Sequence, residues 1–281
     1  MYITHTRFKM KLSIAIPDSS LKDEKKHENK TRKIFQIARA AGIFQVKNII
    51  IYKDGKEFEN DSKLLSTILR FLETPQNFRK RLYPKSGLLQ FVGALSPVKM
   101  PNQTVTSDAK QVKKGDIREG VIFPKDGKKF IDIGIDHSIP YHGKKQIDKR
   151  AIIKIKDTFP NFTVHDIEKD QLPNFWSYNV KHGGNLFSLL TEWKGPKILT
   201  SRKSKKIKNE DMQKILSSKE EILVVFGTTD KGIHEMLDKK ISNIQNFKAW
   251  NFFPHQGTET VRLEEAILGC LSIINAHTFN K

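Results

Sequence analysis

Two short runs of apolar residues constrain the fold of this chain more than any other feature. Residues 46–52 (VKNIIIY) and 221–226 (EILVVF) are each nearly continuous in apolar side chains rather than alternating. Such a strand is typical of a parallel sheet whose two faces are both covered by helices. A further strand is expected at 11–17, while 20–41 and 62–73 carry the apolar periodicity of helices. We therefore predict an α/β fold built on a parallel sheet.

The pattern changes after residue 77. Between 78 and 165, short apolar runs alternate with turn residues, which is typical of a small all-β barrel. These runs are LLQFVGAL at 88–95, EGVIFP at 119–124, KKFIDIGI at 128–135 and AIIKIK at 151–156. The α/β pattern then resumes, with FWSYNV at 175–180 as its first expected strand and 260–276 as its last helix. The predicted organisation is an α/β domain made of residues 1–77 and 166–281, interrupted by a β-barrel at 78–165.

The charge of the chain indicates its partners. Fifty Lys and Arg residues against 31 Asp and Glu residues give a formal net charge of +19. A field of this sign attracts polyanions, so nucleic acid is the first candidate and an anionic membrane surface the second. The predicted barrel holds 18 basic and 8 acidic residues, which is more than half of the excess.

Other features exclude several classes of protein. No apolar run approaches the roughly 20 residues of a membrane-spanning helix, and no signal peptide is recognisable. The sequence contains neither a phosphate-binding P-loop motif nor a dinucleotide-binding glycine motif, and its nine histidines form no ligand pair. Cys270 is the only cysteine and lies in an apolar helical pattern, so it is expected to be a core residue. We expect a cytoplasmic protein with no metal and no membrane attachment.

Three segments rich in small residues follow the strands of the C-terminal half. They are LTS at 199–201, FGTTDKG at 226–232 and FPHQGT at 253–258. Ligands bind outside the carboxyl ends of the strands in open α/β sheets, and glycine permits the close approach of a ligand to the backbone. A glycine after a strand also marks an ordinary turn, so the pattern alone leaves both interpretations open.

The order of these segments resembles the SPOUT, or trefoil-knot, methyltransferases. The resemblance rests on VVFGTTDKGI at 224–233 and NFFPHQGTETVRLEEAILGCLSIIN at 251–275, with GTETVRLEEAI as the most specific part. It is closest to the archaeal and eukaryotic subgroup whose methyltransferase domain is interrupted by an OB-like β-barrel. Further matching pieces lie at 37–52, 71–84, 89–97, 118–123 and 175–180. His255 and the bulky pair Phe252–Phe253 depart from the family pattern.

The resemblance implies a SPOUT-type α/β knot interrupted by an OB-like barrel. It implies a homodimer through the C-terminal helix, with S-adenosylmethionine as cofactor and RNA as substrate. The implied target is ribosomal RNA, with N3 of a uridine as one acceptor. The alternative function is a catalytically inactive RNA-binding factor for ribosome assembly or regulation on the same fold.

The resemblance also assigns candidate site residues. The predicted cofactor-binding residues are Leu199, Thr200, Ser201, Phe226, Gly227, Gly232, Phe253, Pro254, Gln256, Gly257, Thr258 and Thr260. Arg262 is the catalytic candidate, through an RNA phosphate or the cofactor carboxylate, and its structural alternative is a salt bridge across the dimer. Glu264 and Glu265 are as readily explained as a helix cap.

A second set of residues is predicted to bind RNA. The cationic candidates are Arg79, Lys80, Arg81, Lys128, Lys129, Lys144, Lys145, Arg202, Lys203 and Lys205. The alternative for the run from Arg202 is a solvated surface loop. Phe91, Phe123, Phe130 and Tyr141 are candidates for stacking on bases, although aromatic side chains of a small barrel more often belong to its core.

Overall fold

The structure is a computed structural model that describes residues 10–103, 106–228 and 230–278. The chain divides into two compact units. The first comprises the described residues of Met1–Arg70, Leu88–Ser96 and Tyr178–Lys281, and the second comprises those of Phe71–Gly87 and Pro97–Ser177. The predicted insert at 78–165 coincides with the second unit over 78–87 and 97–165, whereas 88–96 belongs to the first unit.

The strands and helices are numbered in chain order. The strands are β1 (Leu12–Pro17), β2 (Asn48–Lys53), β3 (Ile117–Lys125), β4 (Lys128–Asp132), β5 (Ile139–Pro140), β6 (Arg150–Asp157), β7 (Thr163–Asp166), β8 (Asn179–Asn185), β9 (Lys197–Thr200), β10 (Ile222–Val225) and β11 (Phe247–Trp250). The helices are α1 (His27–Ile43), α2 (Glu59–Glu73), α3 (Gln76–Leu82), α4 (Leu186–Glu192), α5 (Asn209–Leu216), α6 (Ile233–Leu237) and α7 (Leu263–Ala276).

The first unit contains a six-stranded sheet in the order β11-β9-β10-β1-β2-β8. Every neighbouring pair is parallel, which confirms the predicted parallel sheet. All residues of β1 and β10 are buried, as expected for strands covered on both faces. On one face, Ala15, Leu199 and Val225 pack with Ile233 and Leu237 of α6.

The second unit contains a five-stranded antiparallel sheet in the order β5-β4-β3-β6-β7. The sheet is curled around a core that includes Ile122, Ile131, Ile153 and Phe162. Residues alternate between the two faces of an antiparallel strand, so each strand sends one set of side chains into this core.

Three predicted elements differ from the structure. The helix predicted from residue 20 begins at His27, because residues 18–21 form a buried 3-10 turn and the following residues offer no apolar face. Residues 88–95, predicted as a strand, form two 3-10 turns, since an apolar run does not specify a strand when no neighbouring strand pairs with it. The strand predicted at 175–180 begins at Asn179 and extends through Gly183 and Gly184.

Candidate cofactor site at the carboxyl edge of the parallel sheet

The three predicted cofactor loops follow three adjacent strands. β9 lies between β10 and β11, and all three run in the same direction. The loops that begin at Ser201, Phe226 and Asn251 therefore leave the same edge of the sheet. Two hydrogen bonds tie the strand ends together: Thr200 Oγ1 donates to the Val225 carbonyl at 3.0 Å, and the Ser201 N–H donates to the Trp250 carbonyl at 3.0 Å.

Leu199 and Phe226 hold the loops in place from beneath. The Leu199 side chain is fully buried in the core, and Phe226 is equally buried. The Phe226 N–H donates to the Ala15 carbonyl at 2.9 Å, while its own carbonyl accepts the Tyr52 hydroxyl at 2.7 Å. Complete burial raises the pKa of Tyr52 well above its usual value, so this hydroxyl remains a donor. Both buried side chains therefore position backbone rather than offer side-chain atoms to a ligand.

The loop after β10 is closed tightly on itself. The Thr228 N–H donates to the Lys231 carbonyl at 3.1 Å, and the Lys231 N–H donates to Thr228 Oγ1 at 2.9 Å. A Cβ atom at Gly227 would lie 3.1 Å from the Lys231 carbonyl oxygen and 3.3 Å from the Ile233 nitrogen, so glycine is needed for this approach. Gly232 differs, because a Cβ atom there meets nothing within 4 Å. Thr229 lies outside the described residues.

The loop after β11 is held by its own polar groups. Gln256 Nε2 donates to the carbonyls of Thr258 and Glu259 at 3.0 and 3.2 Å, and Thr258 Oγ1 donates to the Thr260 carbonyl at 2.9 Å. Pro254 and Gly257 are exposed, and a Cβ atom at Gly257 also meets nothing within 4 Å. The Gln256 amide thus shapes the loop, and open space lies beside Gly257.

Phe253 is accommodated by a glycine of α7. A Cβ atom at Gly269 would lie 2.6 Å from Cζ of the Phe253 ring, so only a residue without a side chain lets the ring occupy that place. Phe252 is buried and packs edge-on to Trp250, with ring centroids 6.3 Å apart. The bulky pair that departs from the family pattern is therefore packed against the C-terminal helix and β11.

Arg262 is exposed at the N-terminus of α7. Its N–H donates to Glu265 Oε2 at 2.9 Å, so Glu265 caps the helix. Its guanidinium is 60% exposed and lies 3.4 Å from the Glu24 carboxylate. A surface pair of this kind contributes little stability, so the guanidinium can exchange partners.

Glu264 has a structural partner instead. It is buried and lies 3.2 Å from Lys33 Nζ, which also contacts the Asp23 carboxylate at 2.6 Å. Lys33 is itself buried in α1. Glu264 therefore takes part in an ion cluster between α1 and α7.

The basic loop after β9 is tied to the other two loops. Arg202 Nη1 donates to the Glu259 carbonyl at 2.9 Å, and the Lys205 carbonyl accepts the Asn251 N–H at 2.9 Å. Lys203 forms an ion pair with Glu235 of α6, and Ser204 Oγ lies 2.9 Å from His234 Nε2. The loop is consequently held at the carboxyl edge rather than projecting freely, while the side chains of Arg202, Lys203 and Lys205 remain exposed.

The segment after β1 is a part of this edge that the sequence did not reveal. Lys22 forms an ion pair with Asp230 in the second loop, and Glu24 faces Arg262. Asp18 is buried and accepts the Asp54 N–H at 2.9 Å, and burial raises the pKa of Asp18. The segment contains no glycine and no turn motif, so only the adjacency of β1 and β10 shows that it borders the predicted site.

The first unit also contains a cleft away from these loops. It has a volume of about 500 Å³ and is lined by Pro196, Lys214, Asn246 and Lys248, among others. Pro196 and Asn246 precede β9 and β11, so the cleft lies at the amino ends of these strands. Since ligands of parallel sheets bind at the carboxyl ends, we place the candidate site at the loops.

The predicted RNA-binding cations of the second unit fall into two groups. Arg79 donates to the Thr74 and Leu72 carbonyls at 2.9 and 3.1 Å, and Lys129 donates to the Gly143 and Lys145 carbonyls at 3.1 and 3.2 Å. These two side chains therefore support the fold. The second group contains the five cations that are exposed or that contact an exposed acidic side chain, which are Lys80, Arg81, Lys128, Lys144 and Lys145.

The four aromatic residues predicted to stack on bases also differ in their surroundings. Tyr141 belongs to the core of the second unit, where its hydroxyl donates to Asp166 Oδ2 at 2.8 Å. Phe91 lies in the first unit and packs edge-on against His27, with ring centroids 5.2 Å apart. Phe123 and Phe130 are partly exposed neighbours on β3 and β4. Only the last two are available on the surface of the antiparallel sheet.

Comparison with known proteins identifies the family of this chain. A family model described as "Putative RNA methyltransferase" matches residues 11–274, which include both units and all three loops. The chain belongs to this family. The three loops at the carboxyl edge are therefore the candidate cofactor site of an RNA methyltransferase, and the assignment of individual residues within it stays a prediction.

Several relatives of this RNA methyltransferase match along most of its length. The human 28S rRNA (uridine-N(3))-methyltransferase is 26% identical over 303 residues, covering 94% of this chain and 77% of the human protein. The enzyme of the same name from Drosophila melanogaster is 24% identical, covering 94% of this chain and 61% of that protein. An uncharacterized protein of Halobacterium salinarum is 25% identical, covering 93% of this chain and 98% of its own length.

Two observations on the described residues concern membranes and metal ions. Within residues 10–103, 106–228 and 230–278, no helix has the length and apolar character needed to cross a membrane. In the same ranges, no group of three or more His, Cys, Asp or Glu side chains is arranged to hold a metal ion. Cys270 is buried, as predicted, and its burial raises the pKa of the thiol well above the usual value.

Proposed function

We propose that this RNA methyltransferase uses S-adenosylmethionine to methylate a base of ribosomal RNA, with N3 of a uridine as the acceptor. The observation that carries the proposal is the convergence of three loops on adjacent parallel strands in a chain of this family. The names of the human and Drosophila relatives supply the acceptor. A cytoplasmic location is part of the same proposal.

The residues present fit an adenosine-containing cofactor. Gly232 and Gly257 stand in two different loops, and each has open space where a side chain would otherwise extend. The predicted cofactor residues Ser201, Thr258 and Thr260 have small side chains, which suit recognition through backbone N–H and C=O groups. We propose that the cofactor binds between these loops, which form the trefoil knot implied by the family resemblance.

The chemistry divides between the bound groups and the chain. When bound, S-adenosylmethionine supplies a methyl group on a positively charged sulfur. The uridine N3–H would release its proton to solvent water as the new N–CH₃ bond forms, and the electron pair of the broken methyl–sulfur bond would stay on the sulfur. The chain aligns the two reacting atoms, which by itself lowers the barrier by several kcal/mol, on the order of 7–11 in the most favourable cases. Arg262, exposed beside the third loop, binds an RNA phosphate after leaving Glu24.

We also propose that the protein is a homodimer through α7. Leu268 is 47% exposed on this helix, and Ile43 at the end of α1 is 53% exposed. Single exposed apolar side chains are common on monomeric proteins, so the proposal rests on the family resemblance, and these two side chains are available for such a contact. In such a dimer the partner's surface would border the loops at the start of α7.

Isothermal titration calorimetry with S-adenosylmethionine, followed by incubation with ribosomal RNA, tests the proposed function. We expect saturable binding and a new methylated uridine in nuclease digests analysed by mass spectrometry. RNA incubated without cofactor is the control. Binding of RNA without any binding of S-adenosylmethionine would instead establish the inactive RNA-binding factor.

Replacement of Arg262 by alanine tests the role of the exposed guanidinium. A charge-assisted hydrogen bond to a phosphate contributes about 1.5–3 kcal/mol, so we expect kcat/KM for methylation to fall about 10- to 100-fold. Dimerisation, measured by size-exclusion chromatography, should be unchanged. Glu24→Ala is the matched control, because it removes the other half of the pair and should leave turnover within about threefold. Full activity of Arg262→Ala would remove this residue from the site.

The salt dependence of RNA binding tests the exposed cations of the second unit. Each phosphate contact to single-stranded RNA contributes about 0.7 to the slope of log K against log salt. The triple variant Lys80→Ala, Lys128→Ala and Lys144→Ala should therefore lower that slope by about 2. The triple variant Lys25→Ala, Lys194→Ala and Lys219→Ala removes the same charge from exposed positions of the first unit. Equal slopes for both triple variants would mean that binding follows net charge and not this surface.

A further inference from the structure

The β3–β4 hairpin of the second unit presents two phenylalanine rings on its outer face. Phe123 and Phe130 are directly opposite each other in the antiparallel pair, with ring centroids 6.0 Å apart and ring planes inclined by 38°. Their neighbours Ile122 and Ile131, also opposite each other, are completely buried in the core. Since consecutive residues of a strand point to opposite faces, the two phenylalanines lie on the face away from this core.

The same face carries positive charge. Lys125 pairs with Lys128 in the register, two residues further along each strand, so both lysines share the face of the rings. Lys125 Nζ lies 5.6 Å from the centroid of the Phe130 ring. The two-residue turn at Asp126 and Gly127, both with positive φ, places the lysines at the tip of the hairpin.

A further cation reaches the rings from α3. The Arg81 guanidinium lies 5.4 Å from the centroid of the Phe123 ring, and its Nη2 contacts the exposed carboxylate of Asp148 at 2.9 Å. The face therefore combines two adjacent aromatic rings with three cations, a composition that suits neither the core nor an ordinary solvated surface.

We propose that this face is a stacking platform for unpaired bases of single-stranded RNA. Every base has a flat π surface that stacks on an aromatic ring, and the neighbouring phosphates attract the cations at the edge of the platform. A double helix keeps its bases stacked on one another, so the rings gain nothing from it. The platform thus gives the second unit a preference for unpaired RNA. The inference rests on the proposed binding of RNA by this unit.

Replacement of both rings by leucine tests the platform. The Phe123→Leu and Phe130→Leu double variant keeps apolar side chains but removes the π surfaces. We expect its affinity for a single-stranded oligouridine, measured by fluorescence anisotropy, to fall about tenfold per ring. Its affinity for an RNA duplex of equal length should change less than about twofold. Phe159→Leu is the control, because Phe159 is an exposed ring of the same unit that lies outside the hairpin.

A second variant keeps the test decisive if the double variant is unstable. Phe130→Trp places a fluorescent ring on the platform, and its emission should be quenched when oligouridine binds. Phe159→Trp should show no such quenching. Absence of quenching in Phe130→Trp, or equal losses for single-stranded and duplex RNA in the leucine variant, would overturn the platform. Calorimetry with S-adenosylmethionine on the same variants separates this outcome from failure of the proposed enzymatic function.

Discussion

Replacing Arg150 by alanine is expected to destabilise the second unit by about 3–5 kcal/mol, because it leaves two buried carboxylates without their main counter-charge. Arg150 Nη1 lies 2.5 Å from Glu73 Oε2, and its Nε donates to Glu119 Oε1 at 2.6 Å. Glu73 comes from the segment 71–87, whereas Arg150 and Glu119 come from the segment 97–177. The arginine therefore joins the two chain segments from which the unit is built.

Other buried polar groups complete this cluster. Ser177 Oγ donates to Glu73 Oε1 at 2.5 Å, and Asn102 Nδ2 donates to Glu119 Oε2 at 3.1 Å. Burial by itself would raise the pKa of Glu73, but the Arg150 guanidinium outweighs it and holds that pKa below its usual value. Burial raises the pKa of Glu119, although the same guanidinium opposes the shift. Arg150 is thus the main counter-charge of both carboxylates, and Lys169, whose Nζ lies 4.0 Å from Glu73 Oε1, adds a weaker one.

The loss of stability caused by Arg150→Ala should depend on pH. Without the guanidinium, burial raises the pKa of both carboxyl groups above their values in the unfolded chain. Such groups favour folding at low pH, and that contribution is lost as the pH rises through the folded pKa. The difference in the free energy of unfolding from the unmodified protein should therefore be larger at pH 8 than at pH 5. Urea denaturation followed by tryptophan fluorescence measures it, since Trp176 belongs to the same unit.

Two comparisons show whether the effect comes from the buried charges. Lys156→Ala removes an exposed cation from the same strand, β6, and should change stability by less than about 0.5 kcal/mol. Arg150→Met combined with Glu73→Gln and Glu119→Gln removes both buried carboxylates together with the arginine and should be more stable than Arg150→Ala alone. A loss below about 1 kcal/mol for Arg150→Ala would show that the carboxylates do not need the arginine.

Replacing Gly232 by leucine is expected to weaken S-adenosylmethionine binding by up to about 100-fold while leaving the fold intact. A Cβ atom at this position meets nothing within 4 Å, and the residue has an ordinary extended backbone, with φ −70° and ψ 160°. The leucine side chain can therefore be accommodated without strain, but it would extend into the space assigned to the cofactor. Overpacking a well-fitted site typically costs about 1–3 kcal/mol, and about 2.8 kcal/mol corresponds to a 100-fold change in Kd.

Gly93→Leu is the matched control for this substitution. Gly93 belongs to the same unit and also has no atom within 4 Å of its Cβ position, but it lies outside the three loops. Thermal denaturation should give similar midpoints for both variants, and calorimetry should show unchanged cofactor binding for Gly93→Leu only. Normal binding by Gly232→Leu would place the cofactor elsewhere. Loss of binding together with a lowered midpoint would point to a disturbed loop.

The sequence predicted the parts of the site that follow from local pattern. The continuous apolar runs at 46–52 and 221–226 became β2 and β10 within two residues at each end. Because the strands are parallel, the loops that follow them were expected at one edge of the sheet, and the structure brings the loops after β9, β10 and β11 together there.

Other contacts in the structure are not indicated by any local pattern in the sequence. Glu73 and Arg150 are 77 residues apart, and nothing in the intervening sequence indicates that they meet. Lys22 and Glu24 resemble any surface charges, and only the adjacency of β1 and β10 reveals their partners Asp230 and Arg262. The run at 88–95 was misleading, because it has strand-like composition but lacks a neighbouring strand.

The sequence by itself determined the α/β character of the first unit, the all-β character of the second and the family resemblance. The spacing of apolar residues shows how many faces of a strand or helix are covered. This pattern can be read without knowing which element covers each face. Only the tertiary structure decided which strands are adjacent and which side chains of the hairpin face outward. Phe123 and Phe130 therefore remain candidates for RNA stacking whereas Tyr141 does not, because burial depends on residues that are distant in the chain.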